Sequence, residues 1–465
     1  MMHNFGVAGS RFGTLIAVIL LLTGLGPTAQ GAGPAAPRRL WADRYHDSPN
    51  LFDEATDVEV SPDGSTAFVT GRSDESGQYN DYVTIAYDVM TGTRKWVSRF
   101  NGPKNRSDAA YDLGISPDGS TVFVTGYTND IDPDFGTIAY NAATGAERWH
   151  AKYDGPGGGD DVAYALGVSP DGSVVYVAGY VDGPEEDYGI VAYDAATGGQ
   201  LWDAQYKGDG NSVDAVYALG VSPDGATLFV TGLSYGIGGT GDFATVALDA
   251  ATGAQKWVVP YNGPKNDADI ARALGVSPDG TTVFVTGSTN GIYDSADYAT
   301  IAYDAATGAK RWIARYDGHS ATDIPYALGV SPDGSKVFVS GRSDRDTEPL
   351  GSDYATLALD AGTGARVWVA RFDHSDEYEV AEALGVSPDG SAVYVAGNAN
   401  GDYVTVAYQA TTGAGIWLSR TRRGHVDSPS ALAVSPDGST LVVTGSMWQG
   451  DPDYNMDYGT IALST

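Results

Sequence analysis

Two habits of apolar patterning alternate along this chain, and the pair recurs eight times. A short small-residue stretch such as Ala327-Leu-Gly-Val330 leads into Ser-Pro-Asp-Gly, and a continuous apolar run such as Val337-Phe-Val339 follows. Pro presets a turn, Asp bonds locally within it, and Gly takes a conformation that other residues resist. The unit therefore predicts a hairpin of two strands, a and b. Its turn begins at Ser61, Ser116, Ser169, Ser222, Ser277, Ser331, Ser387 and Ser435, a spacing of 48 to 56 residues. A second pair follows each hairpin. Strand c has the form Asp-Tyr-x-Thr-Ile-Ala-Tyr, with small variations, from Asp81, Asp187, Asp297 and Asp402. A turn like Asp304-Ala-Ala-Thr-Gly308 leads to strand d, where Trp and Tyr alternate with Arg, Lys or Ala, as on an outer strand with one wet side.

A repeat of this length marks a stacked or circular array of one unit. The residue types grade as a radial blade requires. Strand a is small, with Gly at 114, 167, 220, 275, 329 and 385, while strand b is apolar throughout, as a strand covered on both faces would be. The chain begins with a lone d strand, Leu40-Trp41-Ala-Asp-Arg-Tyr45, and stops at a lone c strand, Asp457-Tyr-Gly-Thr-Ile-Ala-Leu463. The expectation is an all-β fold: one eight-bladed β-propeller over residues 34–465, built of four-stranded antiparallel blades. The N-terminal strand joins the last blade, closing the ring and removing its open edge.

Residues 1–33 stand outside the array. Arg11 precedes the apolar run Phe12 to Gly26, and a small-residue stretch follows, which reads as a secretory signal cut near Ala29 to Gly33. The run is too short for a membrane anchor. A secreted protein with no anchor after cleavage is therefore expected, and it is expected to be a monomer. With no cysteine anywhere, disulfides, thiolate ligands and a thiol nucleophile are excluded. The net charge of −32 argues against nucleic acid and an anionic membrane, which need a cationic face, and either favours cations or basic partners or serves solubility alone.

Ala302-Tyr-Asp304-Ala-Ala-Thr307-Gly308-Ala-Lys-Arg-Trp312 resembles the tryptophan-docking repeat of the pyrroloquinoline quinone (PQQ) family of eight-bladed propellers. The same spacing ends at Trp96, Trp149, Trp202, Trp257, Trp368 and Trp417, and Trp41 has the matching strand. The resemblance implies that all eight tryptophans, Trp312 included, are structural and pack between blades. It does not imply the quinoprotein reaction, because the vicinal Cys pair over the cofactor is missing and the calcium-binding Glu, Asn and Asp match no motif here. PQQ is not expected.

The a–b and c–d turns fall on one face and are nearly constant; the b–c and d–a loops fall on the other and carry the variation, where binding normally resides. Eight residues before each Ser-Pro-Asp-Gly stands an acid: Asp53, Asp108, Asp161, Asp214, Asp269, Asp323, Glu379 and Asp427. This ring is expected around the channel mouth, where it binds a cation, accepts from backbone NH groups or sits in water. Tyr111, Tyr164, Tyr217 and Tyr326, three positions on, read as blade packing. Four histidines fall in the d–a loops entering blades 1, 6, 7 and 8: His46, His319, His374 and His425. His beside Asp suits a divalent metal, calcium or a transition metal, or general acid–base work. In the same sector Glu59 replaces the strand-a Gly, and Arg420, Arg422 and Arg423 crowd one loop. Long b–c loops in blades 6 and 8 flank a short one in blade 7, predicting a notch whose wall carries Trp448. Asp130-Ile-Asp-Pro-Asp134 has the alternating carboxylates of a calcium loop without its Gly or closing Glu.

Two functions follow from these residues, with a PQQ-dependent oxidoreductase, which the resemblance raises, ranked below both. In the first, a non-catalytic scaffold engages an extracellular protein or glycan through the variable face, with Trp448, Asp323, Glu379 and Asp427 as ligand-binding candidates. In the second, a metal-assisted polysaccharide lyase or hydrolase uses His46, His319, His374 and His425 as metal ligands. His374, His425, Arg422 and Glu59 would then be its catalytic groups.

Overall fold

The computed structural model describes residues 37–46, 52–74, 79–183, 187–208, 210, 213–236, 240–290, 295–318, 321–345, 351–374, 378–421, 427–448 and 456–465. The expected signal lies outside them. Every described regular element is a strand, and the strands form eight antiparallel sheets of four. Blade 1 runs a (Asp53–Val60), b (Thr66–Asp74), c (Asn80–Asp88), d (Arg94–Phe100), paired in that order. Blades 2 to 7 repeat it over 109–153, 162–206, 215–261, 270–316, 323–372 and 379–421. Blade 8 takes a, b and c from Ser428–Val434, Thr440–Trp448 and Met456–Ser464, and its d strand is Arg39–Tyr45, with Arg39 opposite Leu463. The eight-bladed ring closed by its own N-terminus is therefore the observed architecture. Strand a is innermost in each blade, and neighbouring a strands touch all the way round.

The apolar core lies between blades, not within them. Ala218, Phe229 and Phe243 of blade 4 meet Leu274, Val283 and Val285 of blade 5 in one buried cluster, and the other junctions repeat this. Each docking Trp fastens its blade to the next. Trp257 donates its indole NH to the Ala305 carbonyl at 3.0 Å, and Trp41, Trp96, Trp149, Trp202 and Trp312 make the same bond to Val89, Ala142, Ala195, Ala250 and Ala361. The Thr-Gly of the receiving turn is explained by the same contact. Gly308 has φ +72°, and a Cβ there would lie 2.8 Å from Trp257 Cδ2. Trp368 meets Gly413 in the same way. Trp417 faces blade 8, which has no c–d turn, and stacks on Tyr394 at 5.7 Å. The strand-c tyrosines add bonds from blade to blade: Tyr82 hydroxyl to the Gly136 carbonyl, Tyr188 to Ala244, and Tyr458 to Val83 across the closure.

Candidate functional site

Every strand a carries one extra residue relative to its strand b, and it is the same position in all eight blades. In blade 3 Ala163 faces Gly179 and Ala165 faces Ala178, so Tyr164 is left out of the register. The residues so displaced are Thr56, Tyr111, Tyr164, Tyr217, Arg272, Tyr326, Glu382 and Ser430. A bulge re-aims its side chain out of the ladder, and strand a is the channel-side edge. These side chains therefore form a collar around the axis, just below the variable face. Across neighbouring blades Tyr111 meets Tyr164 at 5.5 Å and Tyr164 meets Tyr217 at 5.9 Å. Tyr127 and Tyr180, from the adjoining b strands, pack against the arc at 6.0 Å. On the opposite arc the Arg272 guanidinium lies 5.3 Å over the Tyr326 ring, with the Glu382 and Arg342 charges close to that phenol. The collar residues other than Thr56 are half-buried. Packing alone was the reading for these tyrosines; they pack, and they also line the mouth. A sequence signal was present in the Gly that ends each b strand. At Gly179 a Cβ would lie 1.9 Å from the Val162 carbonyl oxygen, a close approach that marks a bulge.

The acids stand at the variable-face end of the innermost strands, and of the roles open to them the structure shows acceptance from backbone NH groups. All eight side chains are buried, at most 1% exposed. Asp108 accepts from the Gly102 and Asn129 NH groups at 2.6 and 2.8 Å, and Asp214 from Gly208 and Tyr235 at 2.6 and 2.7 Å. Asp108, Asp161, Asp214 and Asp269 thus tie the incoming loop to the end of strand b. Of the ligand-binding candidates, Asp323 accepts from Gly318 NH, Glu379 from His374 NH, and Asp427 from Trp448 NH at 2.8 Å. Trp448 itself is half-buried, not exposed. Burial raises these acids despite the bonds, to about 6 for Asp108, Asp161 and Asp323 and about 7 for Asp53.

The histidine sector is only partly described. His319, His425, Arg422 and Arg423 lie outside the described residues. His46 is exposed after strand d of blade 8. The His374 ring stacks on Phe372 at 6.1 Å, and its Nε2 is in contact with the Arg420 guanidinium, which also bonds Asp402. That nitrogen lone pair is engaged. Glu59 sits six residues along strand a from Asp53, roughly 20 Å at 3.3 Å per residue, toward the constant face. It is therefore not brought to the loops that hold the other catalytic candidates. There it stands beside Asp57, and burial followed by that neighbouring charge pushes its carboxyl up to about 8. Among the described residues, no histidine belongs to a group of three metal-ligating side chains. The notch has its floor: Asn400 and Gly401, both at positive φ, join strands b and c of blade 7 in a two-residue hairpin. Its walls fall largely outside the described residues. The Asp130–Asp134 segment is filled by the chain's own cation, Lys152, whose Nζ lies 3.3 Å from Asp130 and 2.5 Å from Asp134.

On the constant face, grooves of about 580, 450 and 260 Å³ open between successive Ser-Pro-Asp-Gly turns, each with a Phe at its base (Phe68, Phe284, Phe123). Their likeness makes them a by-product of the repeat, whereas the collar changes in residue type from blade to blade.

The fold and its repeat define a β-propeller of the PQQ type. The family model described as outer membrane protein assembly factor BamB matches residues 80–331 and 241–449, and the chain belongs to that family. No curated protein matches it. Among solved structures, BamB from Moraxella catarrhalis is 18% identical with a TM-score of 0.54, over 92% of this chain and 100% of that one. Chaetomium thermophilum Sqt1 bound to the N-terminus of the ribosomal protein L10 is 14% identical with a TM-score of 0.61, over 90% and 100%. The quinohemoprotein alcohol dehydrogenase of Comamonas testosteroni is 15% identical with a TM-score of 0.58, over 92% and 76%. At these identities the likeness is one of fold.

Proposed function

We propose that this chain is a non-catalytic binding propeller that engages a protein segment at the channel mouth of its variable face. The bulge collar carries this reading. The bulged position is Thr, Tyr, Tyr, Tyr, Arg, Tyr, Glu and Ser from blade 1 to blade 8, so the collar presents four tyrosines and an arginine. Tyr and Arg dominate the energetics of protein interfaces. A net charge of −32 favours a segment bearing Lys or Arg, whose cations would also stack on tyrosine faces. Membership of a family described as an assembly factor agrees with such a role, as does a propeller of the same fold bound to the N-terminus of another protein.

The test is a displayed peptide library selected on the purified protein. Enriched peptides are expected to carry basic residues. Their affinity should fall at least tenfold on Tyr164→Ala or Tyr217→Ala, roughly the loss of one interface anchor. It should hold on Leu201→Ala, an exposed site on an outer strand. Selection of nothing, or of peptides indifferent to both tyrosine variants, would refute the proposal.

A further inference from the structure

Three acids meet where blade 5 hands over to blade 6. Asp297 begins strand c of blade 5 (Ala296–Asp304), Asp317 follows its strand d (Lys310–Tyr316), and Asp323 opens strand a of blade 6. One carboxylate oxygen from each lies within 4.8 Å of the others. Oxygens sharing one calcium ion at 2.3–2.6 Å span about this distance. Asp297 is 6% exposed and Asp323 is fully buried, yet the Oδ1 of each has no hydrogen-bond partner. The Asp323 Oδ2 is already taken by Gly318 NH, so its free oxygen is the other one. Buried carboxylate oxygens are expensive to leave without a partner.

The chain's own treatment of the same positions elsewhere shows what is missing. Between blades 2 and 3, Asp134, Asp154 and Asp161 form the equivalent cluster, and Lys152 Nζ sits 2.5 Å from Asp134. Between blades 6 and 7, Asp353 and Asp373 are bridged by Arg345 at 2.6 Å from each, and Arg371 adds a second bond to Asp353 at 2.8 Å. Between blades 5 and 6 no such ion pair reaches Asp297 or Asp323 among the described residues. Arg315 is near enough to favour the Asp297 charge, but it bonds Thr289 Oγ1 at 2.7 Å and the Tyr261 hydroxyl. Arg371, which faces Asp323, is committed to Asp353, Tyr316 and Ser343.

We infer that Asp297, Asp317 and Asp323 hold a divalent cation with a preference for oxygen ligands, calcium foremost, which pins the d–a loop between blades 5 and 6. The ion supplies externally the charge that Lys152 and Arg345 supply from within the chain. Burial, with the Asp317 charge beside it, raises Asp297 to about 6, and burial raises Asp323 likewise to about 6; both are shifts that a bound cation would reverse.

Calcium titration of the intact protein tests this, read by melting temperature and by terbium luminescence sensitised through neighbouring tyrosines. A rise in Tm with half-saturation at about 10⁻⁴ to 10⁻³ M is expected, the range of extracellular calcium modules. Asp317→Asn should weaken the response at least tenfold while leaving the metal-free melt close to wild type, since Asp317 is exposed. Asp154→Asn, in the Lys-filled cluster, should leave it unchanged. No response tenfold above that range would overturn the inference. So would a response that survives Asp317→Asn, or one that disappears with Asp154→Asn.

Discussion

The docking of each Trp on the Thr-Gly of the next blade can be separated into its backbone and contact parts by three glycine substitutions. Gly308 combines φ +72° with a prospective Cβ 2.8 Å from Trp257 Cδ2 and 3.0 Å from Val259 Cγ2. The indole cannot swing aside without losing its bond to the Ala305 carbonyl. Gly158 has nearly the same backbone, φ +67°, but nothing within 4 Å of a Cβ. Gly415 begins a strand with no positive φ and is likewise open. An L-residue in the left-handed region costs about 1–2 kcal/mol, and over-packing adds about 1–3 kcal/mol. Gly158→Ala should therefore lose about 1–2 kcal/mol and Gly308→Ala about 2–5 kcal/mol by those two terms together. Gly415→Ala should gain about 0.4–1 kcal/mol through the unfolded chain. Urea midpoints with a common slope measure all three. If Gly308→Ala and Gly158→Ala lost the same amount, the indole contact would contribute nothing, and the docking account of the motif would fall.

Two further outcomes follow from acids of strand a. Glu59, with a folded value near 8 against an ordinary 4.5, keeps a proton that the unfolded chain releases between those pH values. Its contribution to stability is therefore fullest below pH 4.5 and is lost as pH rises toward 8. Glu59→Gln should match wild type at pH 5 and melt several degrees higher at pH 9, with Asp57 and Asp112 the acids that remain beside it; equal melts at pH 9 would contradict this. Asp214→Asn removes one of two acceptors, for Gly208 NH and Tyr235 NH, at a cost of about 1–3 kcal/mol. Limited proteolysis should then cut first between blades 3 and 4, and an unchanged cleavage pattern would contradict the loop-anchor role of the acids.

The blade count, the strand order and the ring closure were legible because they need only the spacing of the turns and a lone d strand matched with a lone c strand. The direction of individual side chains was not. The acid at the head of strand a turns under its loop because the bulge three residues later resets the register, and a shift shared by all eight blades leaves no trace in the spacing. Gly71, Gly179 and their equivalents did mark it, as residues that no Cβ could replace opposite the bulge. Glu59 looked like a partner for the loop histidines because both break the repeat in one sector, but a strand runs along the axis and carries it to the far end.

The closure of blade 8 fixes an order of events in folding. Arg39 and Leu463 pair across 424 positions, so strand d of blade 8 leaves the ribosome long before the strand c that it pairs with. The equilibrium cost of that wait is small, about 2 kcal/mol more loop entropy than closing a 50-residue blade. The kinetic cost falls elsewhere. Until Met456–Ser464 is made, Arg39–Tyr45 has no strand to pair with, and blade 1 keeps one flank uncovered. The nascent chain is thus an open crescent with two adhesive ends, and strand c of blade 8 is what makes it a ring.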